Sequence, residues 1–191
     1  MWPAPPGAPA DPEGLVIRRT HEVGGRGARA GRTRVPLYTP AERARRDATR
    51  WTVVQGVLAP AQFIVMLVSV ALVARYLRTG DGLLAANASV LVKTAALYAI
   101  MVTGALWEKA VFGRYLFAPA FFWEDAVSFV VIAVHTLYVV AASGGLLGPR
   151  ALMYVALAAY ALYAVNAGQF VHKLRLARRD ERAVRLAGAA A

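Results

Sequence analysis

Four long apolar segments constrain this chain more than any other feature of its sequence. They cover residues 52–77, 83–107, 121–142 and 151–171, and each can cross a bilayer core, which needs about 20 apolar residues. Short, turn-rich loops join the first to the second and the third to the fourth, which favours two antiparallel hairpins. Apolar residues fill 58% of positions and the mean hydropathy is +0.46, more than a soluble core requires. The sequence therefore predicts an all-α membrane protein, a bundle of four transmembrane helices.

The basic residues indicate how these helices are oriented. The formal net charge is +11, and of the 22 Lys and Arg residues ten precede the first segment, two lie between the second and third, and six follow the last. Only Arg75, at the end of the first segment, and Arg78 and Arg150, in the other two loops, lie on the opposite side. Because cytoplasmic loops carry the excess of positive charge, both termini are expected in the cytoplasm. Topology and anionic lipid then account for the basic residues, so no nucleic-acid partner is expected.

Both ends of the chain differ in composition from the middle. Residues 1–36 are rich in Pro, Gly, Ala and Arg without apolar periodicity, which predicts a disordered tail. Thr39 as an N-cap, with Glu42 three residues later, then predicts a short helix, which we place on the membrane surface. The membrane domain is expected to cover residues 37–176, followed by a basic C-terminal tail at 177–191.

Each predicted membrane helix carries a stripe of polar residues. Ionisable groups inside a bilayer are costly, so they usually face the bundle interior or a water-filled cavity. In the third helix Glu124, Ser128 and His135 share one face, and Asp125 lies on the next. The polar residues of the other helices are Gln55, Gln62 and Ser69 on the first, Lys93 and Glu108 on the second, and Asn166 and Gln169 on the fourth. Facing inward, these stripes would form a polar core with Lys93 and His135 in its deepest layer.

These polar residues also have structural explanations. Carboxylates at helix ends can be solvated, and Glu124 and Asp125 suit the first turn of a helix because its dipole favours anions there. Buried amides join helices, and His135 can make a structural hydrogen bond. The pattern alone leaves an enzyme on a lipophilic substrate, a pigment or cofactor binder, and an assembly or transport subunit. The chain has no Cys and no H-E-x-x-H motif, so no metal site of its own is predicted.

Four strings in the sequence carry a resemblance to a known family. LYTP (37–40), WTVVQGVLAPAQF (51–63), VTGALWEKAVFGRYLFAPAFFWED (102–125) and NAGQFVHKLR (166–175) closely resemble the 3-vinyl bacteriochlorophyllide hydratase family, with similarity over about 37–176. The resemblance implies hydration of the 3-vinyl group of a chlorophyllide or bacteriochlorophyllide to a 3-(1-hydroxyethyl) group, in bacteriochlorophyll biosynthesis. It implies an Mg-tetrapyrrole and water as substrates, no cofactor, and a bacterial inner membrane. The alternative is a non-catalytic pigment-binding or assembly subunit of a photosynthetic membrane complex.

Hydration of a vinyl group requires a proton donor, a positioned water with an acceptor for its proton, and a dry slot for the pigment. Glu124 is the first choice for the donor, with Glu108 and Asp125 as alternatives, because a carboxylic acid shielded from water stays protonated more readily. His135 either relays a proton or ligates the Mg²⁺ of the pigment. Substrate contacts are expected from the polar residues Gln55, Asn166 and Gln169 and from the aromatic residues Tyr115, Phe117, Phe121, Phe122 and Trp123. A homodimer is expected as well, because four short helices make a small enclosure for a macrocycle.

Overall fold

The computed structural model describes residues 36–189, so all but the last residue of the predicted tail 1–36 lies outside the described residues. This described part is helical, and no strand occurs in it. Its helices are α1 (Pro40–Ala48), α2 (Arg50–Thr79), α3 (Leu83–Phe112), α4 (Phe122–Ser143) and α5 (Pro149–Ala189). Helices α2 to α5 are each long and apolar enough to cross a membrane. The prediction of a multi-pass membrane protein built from four helices is therefore confirmed.

The four long helices pair as two hairpins, α2 with α3 and α4 with α5, as the short loops predicted. Gly80 ends α2 in the left-handed region with φ of 80°, and its N–H donates to the Tyr76 carbonyl at 2.8 Å. A residue with a Cβ is strained in that conformation, so glycine allows the tight turn into α3 at little cost in conformational free energy. The two hairpins pack against each other less extensively than the helices within each hairpin do.

Helix α1 begins with the capping box that the sequence predicted. The Glu42 N–H donates to Thr39 Oγ1 at 3.3 Å, and the Thr39 N–H donates to Glu42 Oε2 at 2.8 Å. These two bonds satisfy N–H groups that a helix start otherwise leaves without partners.

Helix α5 is longer than the predicted fourth segment, which ended at residue 171. It continues to Ala189 through a stretch rich in Ala, Arg and Leu, all strong helix formers. Arg46 of α1 donates to Glu181 of this extension at 2.6 Å, and Asp180 accepts the Leu37 N–H at 3.3 Å. The extension therefore packs against α1 at the end of the bundle that also carries the loop 113–121.

An aromatic cluster fills this end of the bundle. Tyr38 stacks on Phe112 with ring centroids 5.9 Å apart, and Phe121 packs edge-on against Trp107 at 5.5 Å. The guanidinium of Arg46 lies 5.0 Å from the centroid of the Tyr38 ring. Aromatic pairs of this kind stabilise beyond the area that they bury, so the cluster ties α1 to α3 and α5.

Burial raises the pKa of Tyr38 to about 12. The folded protein then holds this proton more tightly than the unfolded chain, where tyrosine titrates near its ordinary value of about 10. The stability that this pKa difference contributes is present below about pH 10 and is lost as pH rises towards 12. In an alkaline titration followed by tyrosinate absorbance, we expect Tyr38→Phe to remove a component with its midpoint near pH 12. Removal of a component near pH 10 instead would contradict the burial of Tyr38.

Candidate functional site

Two carboxyl groups from different helices meet beneath the loop 113–121. Glu108, in the last turns of α3, accepts the Ala118 N–H at 3.0 Å, and Asp125, in the first turn of α4, accepts the Phe117 N–H at 2.7 Å. Both side chains are buried, and their carboxyl groups lie side by side because they bind the N–H groups of two consecutive loop residues. Two carboxyl groups in such contact need a proton between them. Glu108 and Asp125, here called the acid pair, are therefore suited to hold a proton out of bulk water.

The loop that covers the acid pair has an unusual backbone. Phe117 has φ of 57°, in the left-handed region that residues with a Cβ seldom adopt. Its ring stacks on Phe129 with centroids 5.5 Å apart and contacts Phe122 at the same separation. These two residues lie three before and four after Asp125 on α4, so they flank it on one helix face. All three rings are exposed on the outside of the bundle, and they form an aromatic surface beside the acid pair.

Glu124 precedes Asp125 in α4, about 100° around the helix, and faces α5. Its Oε2 lies 3.4 Å from Nζ of Lys173, and its side chain is buried. One turn further along α4, Ser128 accepts a hydrogen bond from Nδ2 of Asn166 at 2.7 Å. Contacts between residues 124 and 173 and between 128 and 166 align α4 and α5 antiparallel, so Gln169 lies on the same seam between them.

Two acceptor atoms on this α4–α5 seam have no hydrogen-bond partner, Oδ1 of Asn166 and Oε1 of Gln169, and both are buried. Oε2 of Glu124 is buried too and makes no hydrogen bond, but it forms the ion pair with Lys173. Buried polar atoms are nearly always paired with protein or with an ordered water. Because these atoms are acceptors, a donor such as water fits them.

His135 belongs to a deeper polar cluster. Its Nδ1 donates to the Val131 carbonyl at 2.8 Å, which leaves the lone pair of Nε2 without a partner in a fully buried ring. A neutral imidazole nitrogen of this kind can ligate a metal ion. Along α4, His135 is eleven residues from Glu124, a rise of about 16 Å. The donor and metal-ligand roles considered for these residues therefore fall at two different levels of the bundle.

The remaining predicted substrate contacts are dispersed. Gln55 donates to Thr103 at 2.8 Å on the α2–α3 seam. Phe121 is buried in the aromatic cluster around Tyr38, whereas Phe122 and Trp123 are exposed. Tyr115 is exposed as well and lies under the ammonium of Lys109. The structure thus brings together Glu108, Asp125, Glu124, Asn166 and Gln169, and places Gln55, Tyr115 and His135 apart from them. Phe121 borders this region, because Nζ of Lys173 lies 5.6 Å from the centroid of its ring.

Two residues of this region escaped the sequence analysis as site candidates. Lys173 follows Gln169 by four residues and Asn166 by seven, so helical spacing alone places it on their stripe. Phe129 follows Asp125 by four residues, and the same spacing would have found it. Among residues 36–189 no group of three or more His, Cys, Asp or Glu side chains is arranged to hold a metal ion.

Comparison with known proteins identifies one family. The sequence pattern of 2-vinyl bacteriochlorophyllide hydratases matches residues 38–176. A 2-vinyl bacteriochlorophyllide hydratase of Cereibacter sphaeroides is 64% identical over 145 residues, which cover 75% of this chain and 89% of the relative. One from Rhodobacter capsulatus is 61% identical over 146 residues, covering 76% of this chain and 85% of the relative. No solved structure matches this chain significantly.

Proposed function

The chain belongs to the 2-vinyl bacteriochlorophyllide hydratase family, and we propose that its acid pair and α4–α5 seam are where water is added to the vinyl group. The enzyme is a hydro-lyase of bacteriochlorophyll biosynthesis, and its substrates are a tetrapyrrole and water. The terms 2-vinyl and 3-vinyl differ in wording only and describe the same family.

Hydration proceeds in two steps that make different demands on the protein. A proton first adds to the terminal vinyl carbon, which leaves a cation on the carbon attached to the macrocycle, where the ring delocalises it. Water then forms a C–O bond to that carbon and loses one proton. The proton given up by water replaces the one delivered to the vinyl group, so neither an oxidant nor a reductant takes part. The protein must supply a proton donor on one side and a water with a proton acceptor on the other.

We assign proton donation to the acid pair. Glu108 and Asp125 share a proton in a site shielded from water, so a neutral carboxylic acid is available there. The preference from sequence was Glu124, but its ion pair with Lys173 favours a carboxylate that accepts a proton.

We assign the addition of water to the α4–α5 seam. Asn166 and Gln169 each present a buried oxygen without a hydrogen-bond partner, and the carboxylate of Glu124, paired with Lys173, lies on the same seam. A water donating to Glu124 is positioned to lose its proton to that carboxylate as it attacks the cation. Glu124 and Asp125 are consecutive in α4, so the proton has a short return to the acid pair. The observation that supports the proposal is the presence of buried acceptors without partners on the seam, next to two buried carboxyl groups from different helices.

The aromatic surface gives the substrate a place to dock. Phe117, Phe122 and Phe129 are exposed beside the acid pair, and a flat macrocycle stacks well on such rings. The N–H of Phe117 binds Asp125, so movement of Phe117 away from Asp125 brings the vinyl group to the acid pair. The strained φ of Phe117 keeps this displacement inexpensive, because the loop gives up an unfavourable conformation as it moves.

We further propose how the protein lies in its membrane. Both termini and the loop 113–121 lie on the cytoplasmic side of a bacterial inner membrane, because most of the basic residues flank that end of the bundle. Helix α1 has no buried residue and carries Arg on several faces, which suits the headgroup layer. The membrane domain then covers residues 37–176, between an N-terminal tail and a basic C-terminal segment, and two copies associate as a homodimer.

Incubation of the detergent-solubilised protein with a 3-vinyl chlorophyllide tests the proposed reaction. The product gains the mass of one water, and its red absorption band moves to shorter wavelength because a conjugated double bond is lost. Mass spectrometry and absorbance measure the two changes independently. Co-purification of unchanged pigment, with no mass gain, would instead support a pigment-binding subunit.

Lys173→Met tests the ion pair on the α4–α5 seam. We expect a loss of about tenfold in kcat, because Glu124 loses the charge that keeps it a proton acceptor. Lys173→Arg, which keeps the charge, should retain most of the activity. Equal loss in both variants would show that packing at this position matters and charge does not.

A further inference from the structure

Two hydroxyl groups bridge α3 and α4 at a position that is open to the outside of the bundle. The oxygens of Tyr98 on α3 and Thr136 on α4 lie 2.5 Å apart, and either can be the donor. The Tyr98 side chain is 43% exposed, and both helices are long and apolar enough to cross a membrane. Polar side chains within a membrane usually face the bundle interior or a water-filled cavity. This outward-facing pair, here called the hydroxyl pair, therefore calls for a functional explanation.

One face of α4 connects the hydroxyl pair to the acid pair. Asp125, Phe129 and Thr136 are separated by four and seven residues, spacings that place all three on the same face of the helix. At one end of this face Phe117 stacks on Phe129, and at the other end Tyr98 bonds to Thr136. The face thus continues from the acid pair, past the aromatic surface, to the hydroxyl pair.

The surface between the two pairs is apolar and exposed. Phe129 on α4 is exposed, and so is Val102, which lies one turn from Tyr98 on α3. Ala133, between Phe129 and Thr136, is exposed as well and has a small side chain. Helices α3 and α4 belong to different hairpins, which pack less extensively on each other than the helices within each hairpin do. A flat apolar ligand therefore has an exposed surface to lie on, with a polar group at each end.

These two polar ends match two groups on opposite rings of a chlorophyllide. The vinyl group is attached to one pyrrole ring, and a ketone belongs to the five-membered carbon ring fused to the opposite pyrrole. Thr136 follows Asp125 by eleven residues, a rise of about 16 Å along α4. The line from the vinyl carbon to the ketone oxygen crosses the whole macrocycle and, with a contact at each end, has a comparable length. The ketone oxygen can only accept hydrogen bonds, and a tyrosine hydroxyl can donate one.

The hydroxyl pair can offer this donor without losing its own hydrogen bond. Thr136 Oγ1 donates to the Ile132 carbonyl at 2.8 Å, an oxygen that the Thr136 N–H also reaches within the helix. If Thr136 turns its hydrogen to Tyr98 instead, the Ile132 carbonyl keeps its helical partner. The Tyr98 O–H is then free to donate outward. In such a chain of hydroxyl groups each hydrogen bond strengthens the next.

We propose that Tyr98 donates a hydrogen bond to the ring ketone of the substrate and that Thr136 positions Tyr98 for it. The macrocycle then lies along the face of α4 between the two pairs, with its vinyl group at the acid pair. The inference rests on the proposed function, since it assumes that the vinyl group reacts there. It makes the ketone a determinant of specificity, because a pigment without it loses its anchor at the far end.

The experiment compares a 3-vinyl chlorophyllide with an analogue in which the ketone is replaced by CH₂. Tyr98→Phe should lower kcat/KM for the ketone substrate by about tenfold, the effect of one lost hydrogen bond. For the analogue it should leave kcat/KM unchanged within about twofold, since no bond is there to lose. Removal of the ketone also changes the electronics of the macrocycle. The decisive quantity is therefore the effect of the substitution on each substrate, rather than the ratio between substrates in one enzyme.

Two further variants define the roles of the hydroxyl groups. Thr136→Val keeps the shape of the side chain and should cost about threefold on the ketone substrate alone, because Tyr98 keeps its donor but loses the residue that orients it. Tyr154→Phe is the matched control, since Tyr154 is also an exposed tyrosine of a membrane helix but belongs to α5. It should leave kcat/KM unchanged for both substrates.

Vibrational spectroscopy tests the same hydrogen bond without turnover. A 3-ethyl chlorophyllide has the ketone but no vinyl group to hydrate. When it is bound to the unmodified enzyme, we expect its ketone stretching band at lower frequency than in detergent alone, because a hydrogen bond weakens the C=O bond. In Tyr98→Phe the band should return to the frequency of the free pigment.

Each contrary outcome has a distinct meaning. Equal losses on both substrates in Tyr98→Phe would assign Tyr98 to packing and overturn the inference, and so would unchanged activity on both. Should this variant fail to fold, the ketone band of the unmodified enzyme decides, and an unshifted band would overturn the inference while leaving the proposed function intact. Absence of hydration of the 3-vinyl chlorophyllide by the unmodified enzyme would overturn the proposed function and the inference with it.

Discussion

Asp125→Asn will stop the reaction at its first proton transfer, and kcat will fall by about 10²- to 10⁴-fold, the usual contribution of a positioned acid. Asparagine keeps the size of Asp125 and can still accept the Phe117 N–H, so the loop above it retains its anchor. What disappears is the proton shared with Glu108. A steady-state assay of the 1-hydroxyethyl product measures the loss.

Glu108→Gln should have an effect of similar size, for the same reason. Because the two carboxyl groups hold one proton between them, the double variant should be scarcely worse than either single one. Asp47→Asn is the control, since Asp47 is an exposed carboxylate of α1 that pairs with Arg46. Independent, multiplying losses in the double variant would show that the two carboxyl groups act separately. Retention of activity by Asp125→Asn within a factor of about two would remove the pair from the mechanism.

The helices that cross the membrane could be predicted because hydropathy is a property of local sequence. The extension of α5 could not, because residues after 171 are charged and a span prediction stops at charge. Its helical state depends on good helix formers and on contacts of Glu181 and Asp180 with Arg46 and Leu37, which come from a distant part of the chain. Local sequence does not contain those contacts.

In the candidate site, too, some features could be predicted from local sequence and others depend on distant contacts. Helical periodicity predicts that Glu124 and Ser128 share one face of α4 and that Asn166 and Gln169 share one face of α5. That these two faces meet is shown by the contacts between the helices. The contact between Glu108 and Asp125 depends on the path of the loop 113–121, where Phe117 takes a left-handed conformation that no periodicity predicts.

The aromatic residues at the start of α4 show that residues adjacent in sequence need not share one environment. Phe121, Phe122 and Trp123 look alike as a run of three, but each helical residue turns by about 100° from the one before. As a result Phe121 packs inside and its two neighbours face outward.

Glu124→Gln will block the second step and leave the first one running. The glutamine cannot accept the proton of the attacking water, so product formation should fall by about 10²- to 10⁴-fold. The acid pair is untouched, and protonation of the vinyl group remains reversible. In D₂O the cation then loses either a proton or the deuteron just added, and the recovered substrate carries deuterium on its terminal vinyl carbon. Mass spectrometry of the recovered substrate therefore measures protonation of the vinyl group separately from water addition.

Deuterium exchange distinguishes the proton donor from the proton acceptor more clearly than rates of product formation do. Asp125→Asn should yield neither product nor deuterated substrate, because no proton reaches the vinyl group. Glu124→Gln should yield deuterated substrate without product. If Glu124→Gln abolishes exchange while Asp125→Asn retains it, Glu124 is the donor and the assignment made here is reversed. Since the two residues are consecutive in α4 and equally buried, a general loss of folding or of substrate affinity would not produce opposite results in them.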